Sequence, residues 1–226
     1  MNSNRTREVL EELRLVMAGR GNLLDGILPP IVFVVVNALA GMRAAAWAAL
    51  GLALIFGIIR LARRQPLGYA LGGLGAVVVA LAMVTVLDRA VGYFLPGMLS
   101  GGLTIVVCLV SALVRRPLVA LTSYVARGWP LRWYWHPQVR PAYTEVSLAW
   151  AVFFGVRLLV QWLLFQSANS GVLGLANVLL GWPATIVLLV ASYLYGTWRL
   201  GNLQGPSVEE FKAGVPSPWQ GQQRGF

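Results

Sequence analysis

Long apolar runs separated by short polar breaks dominate the chain. An α-helix rises 1.5 Å per residue, so about 20 apolar residues cross the ~30 Å hydrocarbon layer of a bilayer. The pattern therefore predicts an all-α, polytopic membrane protein with about six transmembrane helices. The six runs cover approximately residues 23–42, 44–62, 68–91, 97–114, 147–166 and 172–198.

These runs place a transmembrane domain at residues 21–200, with a short segment on either side. Residues 1–20 carry apolar side chains at helical spacing opposite arginines and glutamates, which predicts a cytoplasmic amphipathic helix. Residues 201–226 are rich in Gly, Pro, Gln and Ser, which predicts a cytoplasmic flexible tail.

Two details of the runs make further predictions. The sequence Gly181-Trp182-Pro183 predicts a kink within the sixth run. Residues 118–126 are amphipathic and follow Pro117, so they either continue the fourth helix or lie in the membrane interface. The pattern of residues leaves that choice open.

Composition and charge agree with a membrane location. The chain is 58% hydrophobic and 12% charged, and the charged fraction is about half of the roughly 25% usual in soluble domains. With the N-terminus inside, 15 of the 18 Lys and Arg residues lie on that side and only Arg43 and Arg89 lie outside. This asymmetry predicts that both termini are cytoplasmic. The net charge of +10 suits anionic lipid headgroups, so we expect membrane lipids and no nucleic acid as partners.

Arg157 lies near the middle of the fifth run, where insertion of an arginine costs roughly 2.5–3.5 kcal/mol. Gln161 follows one helical turn later on the same face, and Asn37 and Asn177 lie in other runs. These four residues either line a polar cavity for an anionic substrate or headgroup, or form an interhelical hydrogen-bond network that fixes packing.

A basic, aromatic loop precedes the fifth run. Tryptophan and arginine side chains suit the headgroup layer of a membrane, so the loop is either an interfacial anchor or a contact for a lipid phosphate or peripheral partner. The candidate contact residues are Trp129, Arg132, Trp133, Trp135 and Arg140, with Tyr134 and His136 among them.

Chemistry-bearing motifs are sparse. Cys108 is the single cysteine and His136 the single histidine, so the chain offers no disulfide framework and no Cys/His cluster for a metal. The patterns GxSxG and HExxH, a phosphate-binding loop, and paired carboxylates on the inner face are all missing from the sequence. We therefore expect no enzymatic activity, no cofactor and no metal.

Several segments resemble a known family: LPPIVFVVVNALAG, DRAVGYFLPG, RRPLVAL and, above all, GWPLRWYWHPQVRPAYTEVSLAWAVFFGVRLLVQ. They are similar to the bacterial membrane proteins grouped as domain of unknown function 3159, over roughly residues 21–198. The plan is more distantly similar to that of the intracellular septation protein A family. The first resemblance implies a helical domain of the bacterial inner (cytoplasmic) membrane without an assigned activity, so it gives no catalytic residues.

Two functional hypotheses follow. The first is a non-enzymatic accessory or scaffold subunit that binds a membrane-protein partner or a second copy of itself through the amphipathic helix, the loop and the tail. The alternative is a transporter or channel for a small, anionic solute or ion with a polar site around Arg157. Binding of a lipid or pigment between the helices remains a third possibility.

Overall fold

The computed structural model describes residues 23–65, 67–167, 169–222 and 225–226. The amphipathic helix predicted for residues 1–20 lies outside this part. All regular elements of the described residues are helical, which confirms the all-α class. They are α1 (Leu23–Ala62), α2 (Leu67–Leu87), a 3₁₀ helix (Ala90–Phe94), α3 (Leu95–Leu113), α4 (Leu118–Arg127), α5 (Leu131–Tyr134), α6 (Arg140–Gln166), α7 (Ser170–Leu179), α8 (Trp182–Leu203) and α9 (Val208–Ala213).

Four helical stretches of the described residues are long and apolar enough to cross a membrane: Leu28–Ala62, Ala90–Leu113, Arg140–Gln166 and Ser170–Leu203. This count is lower than the six runs of the sequence for two reasons. The first two runs join in α1, although Gly41 inside it has non-helical dihedral angles of φ 81° and ψ 173°. The apolar part of α2 is a shorter helix, Leu71–Leu87.

The sixth run is broken where the sequence predicts a kink. Helix α7 ends at Leu179 and α8 begins at Trp182, which confirms that prediction. A Cβ atom on Gly181 would lie 2.6 Å from the carbonyl oxygen of Asn177, so the connection requires a residue without a side chain. Pro183 then occupies the first turn of α8, where its missing N–H group leaves no helical hydrogen bond unmade.

Helices α1 and α3 end in the same way. Two residues after the end of each helix lies an arginine with positive φ, which is 55° at Arg64 and 57° at Arg115. The next amide then donates back into the last turn, Gln65 to the carbonyl of Arg60 at 3.1 Å and Arg116 to that of Ser111 at 2.8 Å. Because Pro117 follows the second of these caps, α4 is a separate helix and does not continue α3.

The described residues divide into two compact units, and the first comprises the described residues up to Ser100 together with Arg157–Thr185. Its core is mainly small and aliphatic. Ala45, Ala49 and Ala53 recur every four residues on one face of α1 and are buried in the same cluster as Val77 and Ala80 of α2. Small residues allow helices to approach closely in lipid, where van der Waals contact replaces the hydrophobic effect.

The second unit, Gly101–Val156 with Ile186–Phe226, has an aromatic core. Trp133, Tyr134 and Tyr143 have no exposed surface. The indole N–H of Trp133 donates to the carbonyl oxygen of Pro206 at 2.8 Å. The ring of Phe226 stacks on Tyr143 with a centroid distance of 4.3 Å and an interplanar angle of 7°.

The end of the chain has more structure than its composition predicts. Helix α8 continues to Leu203, and α9 begins with a capping box in which Ser207 and Glu210 bond each other's backbone N–H groups. The Phe226 ring lies so close to Gly196 that a Cβ atom there would overlap it. This segment therefore differs from the flexible tail expected from composition, because a few apolar residues spaced along a polar stretch anchor it to the second unit.

Candidate functional sites

A polar contact in the first unit joins three of the four residues of the polar site that the sequence predicts. The side-chain oxygen of Asn177 accepts from Gln161 Nε2 at 2.7 Å and from Arg157 Nη2 at 3.3 Å. Gln161 is 3% exposed, whereas Arg157 and Asn177 are half-buried. One neutral oxygen therefore holds both α6 side chains.

Local structure explains this meeting. Arg157 and Gln161 lie four residues apart on α6 and therefore share a face. Asn177 lies in the last turn of α7, just before the break at Leu180 and Gly181. The contact is thus held between one uninterrupted helix and the end of an interrupted one.

Asn37 belongs to a different contact. Its side-chain amide donates to Ser170 Oγ at 3.1 Å, and no hydrogen bond among the described residues joins it to Arg157. Ser170 opens α7, whose first amides are capped by Asn169 Oδ1 at 3.1 Å. The sequence analysis missed Ser170, although the cap signal Ser-Ala-Asn-Ser at the start of the sixth run marks the position.

The basic, aromatic loop and the end of the chain form one substructure, which we call the loop–tail module: residues 128–139 with the described residues from 204 to 226. Arg127 lies 4.8 Å above the Trp129 ring and Arg116 lies 4.7 Å above the Trp135 ring. These two cation–π contacts were not predicted. Arg132 is exposed, whereas Trp129, Trp135 and Arg140 are half-buried.

The structure corrects the prediction that Trp133 is a lipid or partner contact. Trp133 is 0% exposed and packs edge-on against Tyr134 and Tyr143. Its N–H group is already used by Pro206. A tryptophan in a basic loop resembles a headgroup anchor in sequence, but here the ring forms the core around which the loop folds.

Two titratable groups of the basic, aromatic loop have shifted pKa values. Burial raises the pKa of Tyr134, an effect that the hydrogen bond with Ser123 and the charge of Arg127 partly offset. Burial lowers the pKa of His136, whose ring contacts Phe211 and Trp219 edge-on. Both shifts favour the neutral side chains, which suits a packed module.

An ion pair in the second unit was missed by the sequence analysis. The carboxylate of Glu145 accepts from Arg199 Nε and Nη2, each at 2.9 Å, and from the Tyr195 hydroxyl at 2.7 Å. A signal existed, because Glu145 is the single acidic residue between Asp88 and Glu209. A lone carboxylate near a membrane end, among many arginines, indicates a pair.

No group of three or more His, Cys, Asp or Glu side chains that could hold a metal ion occurs in the described part of the chain. Cys108 is buried as a free thiol. Cys108 lies in α3, whereas His136 lies in the loop–tail module, where its ring contacts Trp219 edge-on.

Comparison with known proteins identifies one family. A family profile described as "Protein of unknown function (DUF3159)" matches residues 17–197, which confirms the resemblance seen in the motifs. No curated protein and no solved structure matches the chain. The more distant similarity to the intracellular septation protein A family finds no support in these comparisons.

Proposed function

We propose, from the premise that the chain belongs to the DUF3159 family of proteins of unknown function, that it is a non-enzymatic accessory or scaffold protein of the bacterial inner membrane. It acts by binding a membrane-protein partner or a second copy of itself. The observation that carries this proposal is the loop–tail module, a folded extension of helices long and apolar enough to span a membrane.

The topology within this proposal has six spans and both termini in the cytoplasm. Its support is the break at Gly41, since α1 as one unbroken span would place Arg43 far from both ends of a 40-residue helix. Divided at Gly41, each half has about 20 residues, enough for ~30 Å of hydrocarbon. Arg43 is exposed and then lies at the outer surface.

The module supports binding of a partner because the contacts that hold it together do not involve its exposed charged side chains. Its fold depends on the hydrogen bond between Trp133 and Pro206, 73 positions apart. It is joined to the end of α4 by the hydrogen bond from Arg127 to the carbonyl oxygen of Phe226, 99 positions apart. Arg132, Glu209 and Lys212 are exposed and take no part in those contacts. A surface of this kind can be changed without unfolding the module, which makes the proposal testable.

The experiment purifies the full chain at native expression level in mild detergent and compares wild type with Arg132→Glu. We expect a stoichiometric protein partner, or a second copy of the chain, whose recovery falls several-fold in this variant because a rim charge is reversed. Arg89→Glu is the matched control, since Arg89 is also exposed and lies outside the module. Equal recovery in both variants, or a wild-type chain that is always alone, contradicts the proposal.

A second candidate, a transporter or channel for a small anionic solute, has its own support in the contact of Arg157 with Asn177. Its test is flux of chloride or phosphate into vesicles that contain the purified chain. We expect flux to be lost in Arg157→Leu and kept in Arg89→Leu. Undiminished flux in Arg157→Leu would reject transport through this site.

A further inference from the structure

Arg157 differs from an ordinary paired arginine in its surroundings. It lies within α6, nine positions before the helix ends at Gln166, in a stretch apolar enough to span a membrane. Its neighbours in sequence, Phe154, Val156 and Leu158, are apolar. A cation at such a position requires hydrogen-bond acceptors or a counter-charge.

The described contacts supply little of either. A guanidinium carries five N–H donors, and the structure gives Arg157 one contact, at 3.3 Å, with a neutral amide oxygen. That oxygen already accepts a shorter bond of 2.7 Å from Gln161. No acidic side chain of the described residues forms an ion pair with Arg157. Charge and donors are therefore in excess at this point.

The amides beside it add to this excess. The Asn177 oxygen is occupied by its two donors, so the NH₂ group of Asn177 is directed elsewhere, and it has no acceptor among the described residues. Gln161 is buried and holds the orientation of Asn177. The three side chains thus present a guanidinium and an amide N–H group with a fixed geometry and no carboxylate.

We propose that Arg157, oriented by Asn177 and Gln161, is an anion-binding site within the membrane-spanning part, with an oxyanion as its ligand. The chemistry is that of a phosphate or carboxylate, because a planar guanidinium binds two oxygens of such a group at once. The ligand source is either the headgroup of an anionic lipid or a free inorganic anion. The site does not include Asn37, which is held by Ser170.

This inference goes beyond binding of a partner by the loop–tail module and is independent of transport. An anion can reside at Arg157 as a fixed counter-ion without crossing the membrane. Binding without flux would therefore reject the second candidate function and leave the site in place. Loss of binding would remove the site and leave the module untouched.

The experiment uses the full chain in nanodiscs and measures anion binding through thermal unfolding and native mass spectrometry. One arm adds inorganic phosphate to nanodiscs of phosphatidylcholine. The other replaces part of the phosphatidylcholine by phosphatidylglycerol. Stabilisation in the first arm identifies a free anion, and retained phosphatidylglycerol in the second identifies a lipid headgroup. If the wild-type chain shows neither effect, the proposal is overturned.

The variants locate the site. Arg157→Gln is expected to weaken binding by about tenfold or more, the effect of losing a charge-assisted pair. Arg157→Lys keeps the charge without the two-pronged geometry and should bind with intermediate affinity. Arg89→Gln is the matched control and should bind as wild type. Equal binding by Arg157→Gln and wild type would overturn the proposal.

A further variant covers the case in which Arg157→Gln does not fold. Asn177→Asp places a carboxylate where the structure has the acceptor of Arg157, and so supplies the missing counter-charge inside the protein. We expect this chain to fold at least as stably as wild type and to lose anion binding at least tenfold. Anion binding by Asn177→Asp at wild-type affinity would overturn the proposal even without data from Arg157→Gln.

Discussion

The two units of the molecule treat a charged side chain in opposite ways. In the second unit, Arg199 has a carboxylate partner that accepts from both Nε and Nη2, and a tyrosine hydroxyl completes the group. In the first unit, Arg157 has a single, longer contact with an amide oxygen. The comparison separates an arginine whose interactions are satisfied within the fold from one that has capacity for a ligand.

The two units also differ in the residues that form their cores. The first is built from alanines and aliphatic side chains at helix crossings, with Phe33 stacked on Tyr93 as its main ring contact. The second contains interlocked rings and contacts between distant parts of the chain. The first resembles packing between helices in lipid, where close approach is decisive; the second resembles the core of a water-soluble domain.

The largest expected effect concerns the aromatic core. Trp133→Ala removes a fully buried ring and the hydrogen bond to Pro206, so we expect the second unit to lose about 3–5 kcal/mol of unfolding free energy. Denaturant unfolding in detergent measures it. Trp47→Ala is the matched control, since Trp47 is 74% exposed. Similar losses for the two variants would show that the ring at position 133 is not a core residue.

The next effect concerns the alanine face of the first unit. Ala49→Leu adds volume to a position that is 0% exposed, and we expect a destabilisation of about 1–3 kcal/mol from overpacking. Ala38→Leu, at an exposed position of the same helix, should change stability little. The same denaturant measurement applies. A tolerated leucine at position 49 would mean that close helix approach is not what holds this unit.

A smaller effect is expected at the ion pair of Glu145 and Arg199, because each side chain is about one-third exposed and screened by solvent. Glu145→Gln and Arg199→Gln should each destabilise the second unit slightly. The double variant should lose less than the sum of the two, and thermal unfolding of the four chains measures this coupling. Additive losses would show that Glu145 and Arg199 do not stabilise each other, and Arg199 would then be no better paired than Arg157.

The smallest effect depends on pH and tests how firmly the end of the chain is docked. Hydrogen bonds from the backbone N–H groups of Ser207 and Gln220 lower the pKa of Glu210 below its usual value of 4.5. Its stabilising contribution is therefore complete above pH 4.5 and is lost as the pH falls through the lowered pKa. A lower protection factor of the α9 peptide at low pH, after correction for the intrinsic exchange rate at each pH, should report this loss.

The control for the pH experiment is the adjacent carboxylate. Glu210→Gln should remove most of the pH dependence of the α9 protection factor, when compared with wild type at the same pH. Glu209→Gln should keep it, because Glu209 is exposed and its carboxylate makes no hydrogen bond in the described part of the chain. If the two variants behave alike, the capping box does not control the docking of this segment.

The sequence predicted those features that depend on neighbouring residues. Apolar runs predicted both ends of α3 and the C-terminal end of α6 to within a few residues. They do so because a chain segment in lipid must satisfy its own backbone hydrogen bonds, which a helix achieves. Gly181 and Pro183 predicted the break between α7 and α8 for the same local reason. Spacing on one helix face predicted that Arg157 and Gln161 lie together.

Features that depend on distant pairing were not predictable in this way. Trp133 reads as a surface anchor because nothing near it in sequence indicates Pro206 as a partner. The end of the chain reads as flexible because its average composition is polar, although Val208, Phe211 and Phe226 each join the aromatic core or pack against it. Asn37 shares a residue type with Asn177 but lies on a helix that brings it to Ser170 instead.

The stacking of Phe226 on Tyr143 also has a consequence for the order of events during synthesis. A ribosome adds about 5–20 residues per second, so about 5–20 s pass between the appearance of Trp133 and that of Phe226. During that time the aromatic pocket beside Gly196 has no ring to fill it. The face of Tyr143 on which Phe226 stacks therefore stays uncovered by that ring until residue 226 has been synthesised.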